Sequence, residues 1–136
     1  MQLNILPLND TDYDNILYGW WKDWRWTPPV KEFLPEGGKG GFIVYDGDIP
    51  VCAGFIYITN SEVVWCDWII SNIKYKDRVK RKEALELLIN TITTQAKLLK
   101  KKYIYALIKN KPLINTYERL GFSAASSYNQ EMIKKI

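Results

Sequence analysis

Apolar and polar positions fall into short runs of period two and longer runs of helical period, separated by proline, glycine and asparagine clusters. Residues 2–6 read as a strand, and Pro7 with Asn9-Asp10-Thr11-Asp12 announces a helix start. Leu17, Trp20, Trp21 and Trp24 follow at i, i+3, i+4 and i+7, one apolar helical face, before Pro28-Pro29 ends the segment. Residues 30–41, with Pro35 and two Gly-Gly pairs, read as an irregular connection with room for a helical turn. Gly41–Tyr45 and Ile49–Thr59 flank Asp46-Gly47-Asp48, a strong hairpin signal, and Asn60-Ser61-Glu62 turns the chain into a third strand, Val63–Ile70. Ala84, Leu85, Leu88, Ile89, Ile92, Ala96 and Leu99 make one stripe, so residues 81–100 form an amphipathic helix of roughly 30 Å at 1.5 Å per residue. Lys97, Lys100, Lys101 and Lys102 gather at its C-terminal end, opposing the helix dipole. A strand over 103–108, a helix over 111–120 and a final strand or hairpin over 123–135 complete the pattern.

A strand, long helix, strand unit inside an otherwise antiparallel meander implies one parallel pair, between 63–70 and 103–108. The class is therefore α+β, and 136 residues suit one domain, 1–136. Apolar content of 47% and charged content of 25% are ordinary for a water-soluble globular chain. No apolar run is long enough to span a membrane, and the N-terminus lacks the basic start and cleavage site of a signal peptide, so a cytoplasmic location is expected.

Histidine is absent, which removes the commonest general base and metal-ligating nitrogen. Cys52 and Cys66 sit in apolar strands and read as buried free thiols, and no metal site is expected. The net charge of +4 is concentrated: residues 74–82 hold six basic residues against one acid, a net +5, which leaves −1 for the rest of the chain.

The segment after strand 103–108 carries the most information. Asn110 can cap a helix, Pro112 suits its first turn, and Gly121 suits the left-handed residue past its end, with Phe122 packing back. The pattern Asn110-Lys111-Pro112 followed by Tyr117-Glu118-Arg119-Leu120-Gly121-Phe122 resembles the C-terminal signature of the GNAT superfamily, the acyl-CoA-dependent N-acyltransferases. The order of elements is similar to the GNAT fold along essentially the whole chain. The resemblance implies a mixed, mostly antiparallel sheet with helices on both faces and the parallel pair wrapped around the long crossover helix.

The resemblance also implies a set of roles. Acetyl-CoA would be the co-substrate, and its pyrophosphate and ribose phosphate would meet Lys76, Arg78, Val79, Lys80, Arg81 and Lys82, where cations precede a helix N-terminus with free N–H groups. The family's Arg/Gln-x-x-Gly-x-Gly/Ala loop corresponds here to Arg78-Val79-Lys80-Arg81-Lys82-Glu83-Ala84, which contains no glycine. The other readings of this run are a solvated basic loop or a nucleic-acid contact. Backbone groups near Ile69 and Ile70 would pair with the pantetheine arm, one amide facing the thioester oxygen, and Asn110 and Tyr117 would also contact the cofactor. Tyr117 would protonate the departing thiolate, a phenol of pKa about 10 serving a thiol of about 8.5; its other reading is a packing tyrosine.

Asp67 is a carboxylate in an apolar strand whose burial would raise its pKa toward that of a general base, the alternative being a solvated strand residue. Glu36, beside Gly37-Gly38, is a further candidate for the substrate side. Of the six tryptophans most belong to core, while Trp24 could wall an acceptor site and attract a cationic amine. The expected activity is transfer of an acetyl group to a primary amine by direct attack, carried by a monomer or homodimer with acyl-CoA and an amine acceptor as its partners. The competing classes are a degenerate GNAT-fold module that binds acyl-CoA or another partner without catalysis, and a nucleic-acid binder. The last is disfavoured because the basic run carries only Tyr75 for stacking.

Overall fold

The computed structural model describes residues 2–136. Strand β1 (Leu3–Pro7) leads to a helical segment that begins as a π-turn over Tyr13–Leu17 and continues as α1 (Tyr18–Asp23). The polar cluster before it works reciprocally: Asn9 Oδ1 accepts from the Thr11 and Asp12 N–H groups, and Asp12 Oδ2 accepts from the Asn9 N–H. The helix ends at Asp23, ahead of Pro28-Pro29, because Arg25 takes a left-handed φ of 62°. Short 3₁₀ turns at Lys31–Phe33 and Pro35–Gly38 occupy the irregular connection.

Strands β2 (Gly41–Asp46), β3 (Ile49–Ile58) and β4 (Val63–Ser71) follow, then α2 (Arg78–Leu98), β5 (Tyr103–Tyr105) and α3 (Lys111–Arg119). The five strands lie in chain order, antiparallel except for the parallel pair β4–β5. Alternation along β3 and β4 sends side chains to two cores. Cys52, Val64 and Cys66 meet Ala84, Leu88, Ile89 and Ile92 of α2 and Tyr117 of α3 on one face. Ala53, Phe55 and Ile70 meet Leu17, Trp20 and Trp21 of the first helix, with Leu34, on the other. Helices therefore cover both faces, and Cys52 and Cys66 are free and buried.

Three expected boundaries change. Helix α2 starts at Arg78 instead of residue 81, because the Asp77 side chain accepts the Lys80 N–H and caps it three residues earlier. Strand β5 stops at Tyr105 instead of 108, since only Val63–Trp65 pair with Tyr103–Tyr105. The strand or hairpin expected over 123–135 does not form. Its Ser-Ala-Ala-Ser-Ser opening offers no alternating apolar face, and Tyr128, Met132 and Ile133 stay exposed. Lys101 also does more than oppose a dipole: its ammonium donates to the Thr59 and Ser61 carbonyls and pins the β3–β4 turn to the end of α2.

Candidate active site

Two irregularities in β4 shape the site. Phe55 pairs with Asp67 and Ala53 with Ile70, so Trp68 and Ile69 both stand opposite Gly54, a β-bulge with Trp68 at φ 55°. A Cβ on Gly54 would press on Ile69 Cδ1, so a side chain there would have to push the Ile69 tip aside. The second irregularity is the early end of β5. Beyond Trp65 the two parallel strands part, and the β5-side edge of β4 faces a cavity of about 460 Å³.

Ile69, Ile70 and Ser71 of β4 form one wall of this cavity. Arg81, Lys82 and Leu85, from the first two turns of α2, form the second. Asn110 and the α3 face Pro112, Asn115, Thr116 and Arg119 form the third, with Leu113 between them. Trp24 and Trp26 complete the rim, stacked on each other with centroids 5.5 Å apart. The Trp24 indole donates to the Ser71 carbonyl at 2.8 Å, tying the end of the first helix to the end of β4. Asn110 caps α3 by accepting the Leu113 N–H at 3.0 Å.

The glycine-free loop before α2 is held by side chains. The Arg81 guanidinium donates to the Tyr75 carbonyl and approaches the Asn72 carbonyl at 3.5 Å. Tyr75 turns inward and donates to Asp46 Oδ2 at 2.7 Å, and Lys80 Nζ stands 4.0 Å from Asp46 Oδ1. Burial first, then the Asp46 hydrogen bond, pushes the Tyr75 phenol up to about 12. Arg81 Nε is buried and finds no acceptor among the described residues. Arg81 also lines the cavity, which puts its positive charge beside any anionic ligand held there.

Ile69, Ile70, Arg81, Lys82, Asn110 and Trp24 therefore converge on one cavity. Lys76, Arg78 and Val79 are exposed on the loop and first turn outside its lining, and Lys80 turns toward Asp46. Glu36 lies apart in the Pro35–Gly38 turn with φ 51°. Tyr117 is 2% exposed, behind the α3 residues that line the cavity. Its hydroxyl lies 3.2 Å from Cys66 Sγ, and its ring meets Phe122 edge-on at 4.8 Å. Burial first, then the Cys66 thiol, pushes this phenol well above the usual range. The Cys66 thiol is itself pushed up to about 12, chiefly by burial. Asp67 projects from the bulge with Oδ1 accepting the Trp68 N–H at 2.9 Å; burial raises its carboxyl, and Glu131 adds to the effect.

Sequence reasoning missed Trp26, Ser71 and Leu85 as lining residues, and Pro112, Leu113, Asn115, Thr116 and Arg119 of α3. The α3 members could have been found, since Asn115, Thr116 and Arg119 follow Pro112 at i+3, i+4 and i+7, on one face of the helix that Asn110 caps.

In sequence, the chain matches no family model and no curated protein. In structure it is similar to the ribosomal-protein-S18-alanine N-acetyltransferase from Escherichia coli, with a TM-score of 0.70 at 17% identity over 92% of this chain and 80% of that one. It is also similar to the aminoglycoside N-acetyltransferase AAC(6')-Iy in complex with CoA, with a TM-score of 0.65 at 14% identity over 98% and 96% of the two chains. A transcriptional regulator from Bacillus halodurans C-125 scores 0.68 at 12% identity over 97% and 100%. The architecture is the GNAT fold, that of acyl-CoA-dependent N-acetyltransferases. Among the described residues, no helix is long and apolar enough to cross a membrane.

Proposed function

We propose that this chain is a divergent GNAT N-acetyltransferase that moves an acetyl group from acetyl-CoA to a primary amine. The observation that carries the reading is the cavity where β4 and β5 part, apolar along its walls and cationic at Arg81 and Lys82. Those residues suit a ligand with an extended arm and a phosphate-bearing end. Acetyl-CoA would supply a thioester carbonyl open to direct attack by an uncharged amine, with a thiol as the leaving group.

Each side chain then has a task. Arg81 and Lys82 attract the phosphates, and the exposed Lys76, Arg78 and Val79, with Lys80, flank the same helix start. The side-chain brace through Tyr75, Asp46 and Arg81 stands in for the family's glycine cradle by fixing the loop carbonyls. The free edge at Ile69 and Ile70 orients the arm, and the bulge at Trp68 turns a backbone amide away from the regular ladder, toward the reacting carbonyl. Asn110 fixes the start of α3 and so the position of Tyr117. Tyr117 protonates the departing thiolate by exchanging its Cys66 partner for it, and Asp67 takes the proton of the attacking amine. Trp24 borders the acceptor's approach, while Glu36, apart from the cavity, takes no part.

A second reading is favoured by one observation. Asp77 occupies the N-cap of α2, placing a carboxylate where an anion would otherwise meet free N–H groups. A GNAT-fold module that binds its partner without acetyl transfer would tolerate that arrangement, and the same fold serves different tasks. Thiol release from acetyl-CoA, followed across a panel of primary amines and confirmed by the mass of the product, separates the two. Turnover that disappears with Tyr117→Phe supports the acetyltransferase, and bound acetyl-CoA without turnover on any amine supports the module.

A further inference from the structure

On the sheet face opposite Cys66, five aromatic side chains border the bulge. Trp65 packs on Tyr105 with centroids 4.7 Å apart and is the cross-strand partner of Tyr57. The Tyr57 hydroxyl donates to the Phe33 carbonyl at 2.9 Å, and the Phe33 ring meets Trp68 edge-on at 6.0 Å. None of these five is fully buried: Phe33 is exposed and the other four are half-buried, Tyr57 and Trp68 packing in part on the core beneath the first helix. Asp67 shares their face of β4, because residues 65 and 67 alternate with the buried Val64 and Cys66.

The Asp67 carboxylate is only half used. Oδ1 accepts the Trp68 N–H, while no side-chain donor reaches Oδ2 and no lysine or arginine pairs with the group among the described residues. Glu131 acts on it as a second negative charge. The face is thus an aromatic basin with an open carboxylate and a second acid, Glu131, acting on it. Asp67 stands two residues from Ile69, about 7 Å along the strand from the cavity wall.

We infer that this basin is the acceptor site of the acetyl transfer proposed above, and that it selects primary amines carried as ammonium on an aromatic or other apolar body. The rings take the body by contact and cation–π attraction, and Asp67 takes the ammonium head. An acceptor with its own carboxylate beside the amine is rejected, because Asp67 and Glu131 repel it. The inference rests on the acetyltransferase reading for its chemistry but makes a binding claim of its own.

Three probes of matched shape test it by calorimetry: phenethylamine, phenylalanine and 2-phenylethanol. Phenethylamine should bind at least tenfold tighter than either of the others. Asp67→Asn keeps the acceptor for the Trp68 N–H and should abolish that preference while leaving acetyl-CoA affinity within about twofold. Tyr105→Leu, at the rim, should weaken phenethylamine several-fold, with the fold checked by circular dichroism. Equal binding of phenethylamine and 2-phenylethanol, or a preference that survives Asp67→Asn, overturns the inference. Acetyl-CoA titrated separately distinguishes that failure from failure of the acetyltransferase reading.

Discussion

Arg81 is asked to do two jobs, and replacing it separates them. Arg81→Met keeps the aliphatic stem but removes the guanidinium that holds the Tyr75 and Asn72 carbonyls. A hydrogen bond from a charged donor contributes about 1.5–3 kcal/mol. The freed carbonyls lie on a partly exposed loop, where water replaces part of that, so the expected loss of stability is about 1–2 kcal/mol. For a domain of this size that corresponds to a fall in Tm of roughly 3–10 °C. Arg81 also lines the cavity, and losing a charge-assisted phosphate contact of similar size should weaken acetyl-CoA binding by about 10- to 100-fold. Lys82→Met is the control, because Lys82 lines the cavity without taking part in the loop bonds. It should reduce affinity and leave Tm within about 1 °C. Calorimetric titration and thermal unfolding of both variants supply the four numbers. An unchanged affinity in Arg81→Met, or an equal fall in Tm for Lys82→Met, would refute the claim that arginine replaces the glycine cradle.

Four shorter predictions follow from other parts of the molecule. Tyr117→Phe should lower kcat by at least tenfold while changing urea stability by under about 1 kcal/mol, since its hydroxyl has only a weak thiol partner. Gly54→Ala should destabilise by about 1–3 kcal/mol through overpacking against Ile69 and disturb the bulge; an unchanged denaturation midpoint would show that the strand absorbs the methyl group. Cys52 and Cys66 should resist a thiol reagent at pH 8 until the protein unfolds, because burial raises both thiols. Their folded pKa values lie above the unfolded value of about 8.5, so the linked stability is complete below that pH and is lost as pH rises toward 12. A urea midpoint that holds steady from pH 8.5 to 11 would contradict the last statement.

Much of this architecture was legible in the chain because its signals are local. The hairpin at Asp46-Gly47, the Asn110 cap and the apolar stripe of α2 each act within a few residues, and together they set the order that produces the parallel pair. The lining of the cavity was legible only in part, at Trp24, Ile69, Ile70, Arg81, Lys82 and Asn110. What escaped reading depends on contacts far apart in the chain. Tyr75 and Lys80 look like members of an exposed basic run until Asp46, about 30 residues away at the end of β2, draws them inward. The basic run also hid the true start of α2, because Asp77 acts as a cap while reading as one acid among six cations. Tyr117 matched its motif, but its hydroxyl position depends on Cys66 in β4, which no spacing within α3 announces. The C-terminal strand failed for a different reason: residues 123–135 offer nothing to bury on one face.

The central claim is that the parting of β4 and β5 holds an acyl-CoA despite a phosphate loop without glycine. Calorimetric titration of the intact protein with acetyl-CoA at moderate salt tests it most directly. Saturable binding with one site per chain is expected, weakened by Arg81→Met and by raised ionic strength. Failure to bind acetyl-CoA at millimolar concentration, with the fold intact, would contradict it.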